Sequence, residues 1–400
     1  MGFSQAVSGL NAASNNLDVI GNNIANSATV GFKSGTVTFA DMFAGSKVGM
    51  GVKVASVLQD FGNGTVTSSS RDLDIAISGG GFYRLQDTNG STYYSRNGQF
   101  MLNGRNIVNA QGMQLTGYPV AGTPPTVQTG ADPVPLTVPD GDMLASATTV
   151  ASIQANLKSS DPVPTNAWAT TPGAEGTYNS KTALTTYDSQ GNVHNFTLYF
   201  VKTANNTWQT YAKDDSITPA TYQNAGALNF ASNGALTGHT PFNLNLVGTN
   251  GAATGTFTLN LTGSVQQNTE YSYKSPTQNG FAPGSLTGFA INDDGTIEGS
   301  YSNGQKQALG QILLASFANP EGLSPEGDNA WSETASSGQA VVGLAGTGSL
   351  GKLIGKSTES SNVDLSKELV SMIVAQRNYQ SNAQTIKTQD SILQTLVSLR

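Results

Sequence analysis

Leu17-Asp-Val-Ile-Gly-Asn-Asn-Ile-Ala-Asn-Ser-Ala-Thr-Val-Gly-Phe-Lys33 decides how the chain is organised, and the reading works outward from it. From Ser4 to Asn26 there is no proline, and apolar residues fall at Val7, Leu10, Leu17, Ile20 and Ile24. Spacings of three, seven, three and four are those of one helix face. With Ala6 and Ala13 the stripe stays narrow, close to an a/d seam. At about 1.5 Å per residue the helix would reach roughly 30 Å. Asn22, Asn23 and Asn26 are poor helix-interior residues but good end and turn residues, so they let the helix finish and the chain turn. Gly31 is a fitting stop.

The opposite end gives the stronger helical signal. Leu365, Met372, Tyr379, Ile386 and Leu393 recur every seven residues. A second row runs Leu369, Ala383 and Val397, interrupted by Gln376 and Asp390. Asn362 or Asp364 can cap the helix, and Glu368 sits near its first turn, where the dipole favours an acid. With no Pro or Gly from Asn362 to Arg400, the pattern predicts a helix of about 35 residues, roughly 50 Å long. Neither helix buries its stripe alone. One reading pairs the two as an antiparallel hairpin on the chain's own core; another has them also pack on copies of themselves. Stripes this short lack partner surface in a lone monomer, so the ends are expected to order on assembly.

Between the helices the chain reads as β. Runs rich in Val, Ile, Thr, Tyr and Phe flank Asp87-Thr-Asn-Gly90, Asp188-Ser-Gln-Gly191 and Asn292-Asp-Asp-Gly295. These are hairpin signals, with glycine at the turn position that needs φ > 0. Pro-bearing stretches at 117–139 and 275–284 mark boundaries. The fold class is therefore multidomain. Terminal α-helices form a coiled-coil-like core domain, joined to two mainly β, sandwich- or barrel-like domains, the second inserted into the first. The expected division is 1–32 with 360–400 as a terminal helical domain and 33–70 with 346–359 as an extended connector. A β domain then spans 71–144 with 285–345, and an inserted outer β domain spans 145–284.

Composition narrows the function. Only 11% of residues are charged, against about 25% in ordinary soluble domains. The formal net charge of −7 speaks against a nucleic-acid partner. Cysteine is absent, which removes disulfides, thiolate metal sites and a Cys nucleophile. No apolar run approaches the ~18 residues that would span a bilayer. The first residues lack the basic and apolar regions of a cleaved signal. His194 and His239 have no partner at metal spacing and read as ordinary strand or loop residues. Gly346-Thr-Gly-Ser-Leu-Gly351 imitates a phosphate loop, but position 353 is Leu and no helical period follows, so it reads as a turn. Asn292-Asp-Asp-Gly295 fails the calcium-loop spacing. No catalytic residue, metal site or cofactor is expected.

The motif at 17–33 resembles the flagellar axial family, the rod, hook and hook-associated proteins. The far end is similar too, through Ser361-Asn-Val-Asp-Leu365, Met372-Ile-Val-Ala-Gln-Arg-Asn-Tyr379 and Thr388-Gln-Asp390. Phe39-Ala-Asp-Met-Phe-Ala-Gly45, Gly81-Phe-Tyr, Tyr94-Ser-Arg-Asn-Gly-Gln-Phe100, Gly112-Met-Gln-Leu-Thr-Gly-Tyr-Pro119, Gly310-Gln-Ile and Gly327-Asp-Asn-Ala-Trp331 look like the hook branch. The likeness covers 1–145 and 285–400 and is weaker between them. It implies a self-assembling structural subunit of a short curved tube, with the rod, hook cap and hook–filament junction proteins as further partners. It implies export by the flagellar type III apparatus without a cleaved signal, an extracellular place in the flagellum, and no small-molecule substrate or membrane insertion. The residues expected to carry assembly are Leu10, Leu17, Ile20, Asn22, Asn23, Ile24, Asn26, Leu365, Leu369, Met372, Gln376, Tyr379, Ile386, Leu393 and Leu396. Other axial proteins, the distal rod and hook-associated ones, are the nearby alternative. A secreted β-rich adhesin fits the middle composition but gives no reason for two terminal helices.

Overall fold

Two helices and a long series of short strands make up the computed structural model, which describes residues 2–42 and 49–398, without the side chains of 2 and 396–398. Helix α1 spans Gly2–Ala25 and helix α2 spans Leu365–Ser398. Asp364 caps α2, its Oδ1 accepting from Ser366 N at 2.9 Å and Lys367 N at 3.2 Å. Asn362, the other candidate cap, is used elsewhere. Neither helix is long and apolar enough to cross a membrane, which holds for the described residues.

The chain divides into two compact units: Met1–Asp140, Gly288–Gly299 and Lys306–Arg400 form one, and Gly141–Thr287 with Ser300–Gln305 form the other. In the first, residues 33–70 are not a plain connector. Strands β1 (Gly35–Asp41) and β2 (Val52–Gln59) form an antiparallel hairpin with a bulge between Thr38 and Phe39. Val37 is buried and the hairpin packs on α1. The motif beginning at Phe39 passes, from Phe43, outside the described residues. Strand β3 (Val66–Ser68) pairs antiparallel with the returning Ser357–Glu359, and β4 (Ile75–Ser78) with Lys352–Gly355. Outgoing and returning chain thus run side by side.

The main sheet of this unit is centred on Lys306–Ser316, whose residues 309–315 are all buried. It pairs antiparallel with β5 (Phe82–Gln86), which pairs in turn with β6 (Thr92–Ser95) through the Asp87 turn. Strands β7 (Met101–Asn103), β8 (Asn106–Val108) and β9 (Gln114–Tyr118) continue the antiparallel order. Phe61, Phe82, Tyr94, Phe317 and Trp331 meet edge to face, with ring centroids 4.8–6.0 Å apart. That geometry is the one the aromatic quadrupole prefers.

The second unit is β throughout. Ser180–Tyr187, Val193–Ala204, Thr207–Asp214, Tyr222–Phe230 and Leu236–Gly238 form a five-stranded antiparallel meander. Alternate residues, among them Phe196, Leu198, Phe200, Trp208 and Leu228, pack with Leu157, Leu244, Phe257 and Leu259 into one core. Val150–Ser152 pairs parallel with the last three residues of the strand Gly255–Asn260, and Ala155–Lys158 pairs parallel with Val265–Gln267. No turn joins these partners, so hairpin signals do not announce them. His194 lies in a strand, as expected, and is fully buried: Nδ1 is 2.7 Å from Asp214 Oδ2 and Nε2 is 3.4 Å from Asp188 Oδ2. His239 Nε2 accepts from Leu261 N at 2.9 Å. The Gly346–Gly351 stretch is a turn, with Gly346 at φ 76° and Gly348 at φ 57°.

Candidate assembly surface and the junction that holds it

The α1–α2 contact is built from small residues. On α1, Ala6, Ala12 and Ala13 are buried, and on α2, Ala375 is buried. A Cβ on Gly9 would lie 2.8 Å from Asn382 Oδ1, so glycine lets the helices approach there. Gly9 opposes Asn382, while Ser34, just past the end of α1, bonds Asn362, just before the start of α2; the helices therefore run antiparallel. An open groove of about 450 Å³ beside this contact is lined by Gln5, Asn16, Phe39, Asn378 and Ser381 among others.

The expected assembly residues fall into different places. On α1, Ile20 and Asn23 are buried, Leu10, Leu17, Ile24 and Asn26 half-buried, and Asn22 exposed. Asn23 mimics a strand pairing: Oδ1 accepts from Gly35 N at 2.9 Å, and Nδ2 donates to Gly35 O at 2.8 Å. Asn26 closes the helix, with Nδ2 donating to Asn22 O at 3.0 Å and Oδ1 accepting from Thr29 Oγ1 at 3.1 Å. On α2, Met372 and Ile386 are half-buried, whereas Leu365, Leu369, Gln376, Tyr379 and Leu393 are exposed. The side chain of Leu396 lies outside the described residues.

The inward face of α2 follows Glu368, Met372, Ala375, Asn382, Ile386 and Gln389, at helical spacing but with few large apolar groups. The seven-residue rows straddle that face. They also pass over Val370 (62% exposed), Ile373 (51%), Val374 (52%) and Ile392 (55%), which with Leu365, Leu369 and Leu393 leave α2 with uncovered apolar groups over its first turns, 365–374, and again at 392–393. Their signal is present in the sequence as plain apolar content; the periodic template discards it.

A buried ion cluster joins both chain ends to the sheet. Lys33 Nζ is 2.8 Å from Glu359 Oε1 and donates to Gly62 O at 2.7 Å. Arg96 Nη2 lies 2.9 Å from Glu359 Oε2 and donates to Oε1 at 3.0 Å. Its Nη1 donates to Gly79 O and Gly81 O, and Nη2 also to Asn63 Oδ1. All three charged side chains are at most 3% exposed. Burial pushes the Glu359 carboxyl up, but Arg96 and then Lys33 outweigh it, and its pKa falls below the ordinary value. Burial, followed by the nearby Arg96, lowers the pKa of Lys33, and Glu359 offsets this only in part. Around the cluster, Gly31 N donates to Glu359 O at 2.8 Å, and Asn362 accepts from Ser34 N and donates to Asp60 O. Gly31 has φ +72°, and a Cβ there would meet Asn97 N at 2.6 Å. Lys33 and Arg96 stand inside recognised motifs. Their convergence on Glu359, 326 and 263 residues away, has no local signature.

The comparisons with known proteins agree with this arrangement of ends and middle. Four family models match in order: Flagella basal body rod protein at 4–33, and Flagellar hook protein FlgE/F/G D1 domain at 76–156. Flagellar basal body protein FlaE D2 domain follows at 156–281, and Flagellar basal body rod FlgEFG protein C-terminal at 355–399. Together they define a protein of the flagellar rod-and-hook class. The chain is 60% identical over 403 residues to the flagellar hook protein FlgE of Escherichia coli, and 59% over 404 to that of Salmonella typhimurium. Each alignment covers 100% of both chains. It is 34% identical to the FlgE of Rhizobium meliloti, over 98% of this chain and 97% of that one. The chain belongs to the flagellar hook protein family and is a structural subunit of the flagellar hook. A crystal structure of a Helicobacter pylori flagellar hook protein shares the fold, with TM-score 0.53 at 14% identity, over 74% of this chain and 100% of that one. The D2 match falls where the sequence likeness was weakest.

Proposed function

We propose that the subunit polymerises through α1 and α2 into a short, curved, flexible tube that couples the rod to the filament as a universal joint. The observation that carries this is the uncovered apolar surface of α2, present although α2 already pairs with α1. Large apolar groups left exposed together on a helix call for a further partner. The assembly residues are those expected from the sequence, Leu10 to Asn26 on α1 and Leu365 to Leu396 on α2, with Val370, Ile373, Val374 and Ile392 added; Ile20 and Asn23, buried within the subunit, serve by holding α1 in place. Residues 1–32 with 360–400 act as the polymerisation domain, and 145–284 as the inserted outer domain. The further partners are the rod, hook cap and hook–filament junction proteins and the type III export machinery. The chain works outside the cell, is exported without a cleaved signal, and carries no catalytic site.

The test is electron microscopy of the purified chain in sulfate, which strengthens apolar burial, beside a chain lacking 1–30 and 365–400. Tubes from the whole chain alone support polymerisation through the helices. Tubes from both would place assembly elsewhere.

A further inference from the structure

We propose that Asn103 is a site of spontaneous amide loss, converting to aspartate and isoaspartate in the folded protein. The chain carries eight Asn-Gly pairs. In such a pair the glycine backbone nitrogen meets no Cβ of its own when it approaches the asparagine side chain. That nitrogen attacks Asn Cγ and loses its proton, and the bond from Cγ to the side-chain nitrogen breaks. Ammonia leaves and a cyclic imide remains. One water then opens the imide. Opening at one carbonyl yields aspartate with the original backbone; opening at the other yields isoaspartate, in which the chain runs through the side-chain carbon.

The reaction needs a glycine nitrogen free to attack, a side-chain amide free to turn, and water. In five pairs the glycine N–H is already donating: Gly64 to Glu359 Oε1, Gly90 to Asp87 O, Gly234 to Ala231 O, Gly280 to Gln278 Oε1 and Gly304 to Tyr301 O. Gly98 is buried, and Asn97 Oδ1 accepts from Gln99 N at 3.0 Å. Asn250 Nδ2 donates to Asn192 Oδ1 at 3.2 Å. Among the described residues only Asn103–Gly104 has neither group in a hydrogen bond. It forms the exposed tip of the β7–β8 hairpin, where Asn103 pairs with Asn106 and nothing lies within 4 Å of a Cβ placed on Gly104. Conversion would add a negative charge to a chain of net charge −7. Isoaspartate would lengthen the backbone at the residue that sets the hairpin register, beside the exposed Met101 and Leu102.

The experiment ages the full folded chain in mildly alkaline buffer, beside a sample in urea, and maps both by tryptic digestion and tandem mass spectrometry in ¹⁸O water. Cleavage after Arg96 and Arg105 yields one peptide holding both Asn97 and Asn103, an internal control. In the folded sample Asn103 should convert about tenfold faster than Asn97, the factor that one hydrogen bond of ordinary net strength supplies. In urea the two should convert at similar rates. Equal rates at both positions in the folded chain, or faster loss at any pair whose glycine N–H is bonded, would overturn the assignment.

Discussion

Glu359 balances two buried cations, so neutralising it should be the most damaging single conservative change in the helix-bearing unit. Glu359→Gln keeps the shape but leaves Lys33 and Arg96, each no more than 3% exposed, without their anion. Removing one partner of a buried pair costs about 3–5 kcal/mol. With a urea slope of about 2 kcal/mol/M, that lowers the midpoint by roughly 2 M. The two units make a single two-state analysis unsafe, so the probe must be local. The chain has three tryptophans, and only Trp331 belongs to this unit. It is buried, with Nε1 donating to Gln59 Oε1 at 2.6 Å. In a Trp168→Phe/Trp208→Phe background its fluorescence follows this unit alone. The pH dependence gives a second arm. The folded Glu359 pKa is depressed, so its stabilisation is present above the unfolded value near 4.5 and is lost as pH falls through the folded pKa. The Gln variant should lose that acid dependence. A midpoint shift below about 0.3 M, well under the range expected from the buried-pair cost, would refute the reasoning. So would an unchanged acid limb.

Three further changes test neighbouring parts. Gly31→Ala places a Cβ against Asn97 N at a φ of +72° and should destabilise the same unit by about 1–2 kcal/mol or more, read by Trp331. Asn23→Ala strips both partners from Gly35; a loss of about 1–3 kcal/mol is expected, with faster amide exchange along β1 and the end of α1. Leu369→Ser with Ile373→Ser touches only exposed positions, so the Trp331 midpoint should hold within about 0.5 kcal/mol while sulfate-induced tubes disappear; tubes at wild-type yield would contradict the proposed surface.

The parts of the fold legible in the sequence are those whose cause is local. The turns at Asp87, Asp188 and Asn292 follow from glycines that adopt positive φ at 90, 191 and 295. The two helices follow from period and capping, Asp364 included. The parallel strand pairs of the second unit are not legible, because their partners are far apart and each paired stretch is only three residues long. The face of α2 that meets α1 is hard to read for a different reason. Seven-residue counting seeks large apolar groups, whereas beside Met372 and Ile386 the contact with α1 uses glycine, alanine and asparagine, which scale poorly on any hydrophobic template.

That choice of small residues bears on what the outer surface is for. Had the helix pair been built to stabilise a lone monomer, the large groups Leu369, Val370, Ile373 and Val374 would face α1, where each buried side chain contributes about 1.5–3 kcal/mol. They face solvent instead, and alanines fill the seam. The seam brings the helices close without consuming the apolar area. The best-buried ion pairs of the unit lie elsewhere, in the Lys33–Arg96–Glu359 junction. A buried ion cluster with fixed hydrogen-bond geometry is a poor source of net stability but tolerates few alternative arrangements. An apolar helix surface is the reverse: strong in total and indifferent to small shifts in register. In the proposed tube the junction holds the helices at a set position on the sheet, while the surface they present adjusts its contacts by small steps without breaking an ion pair.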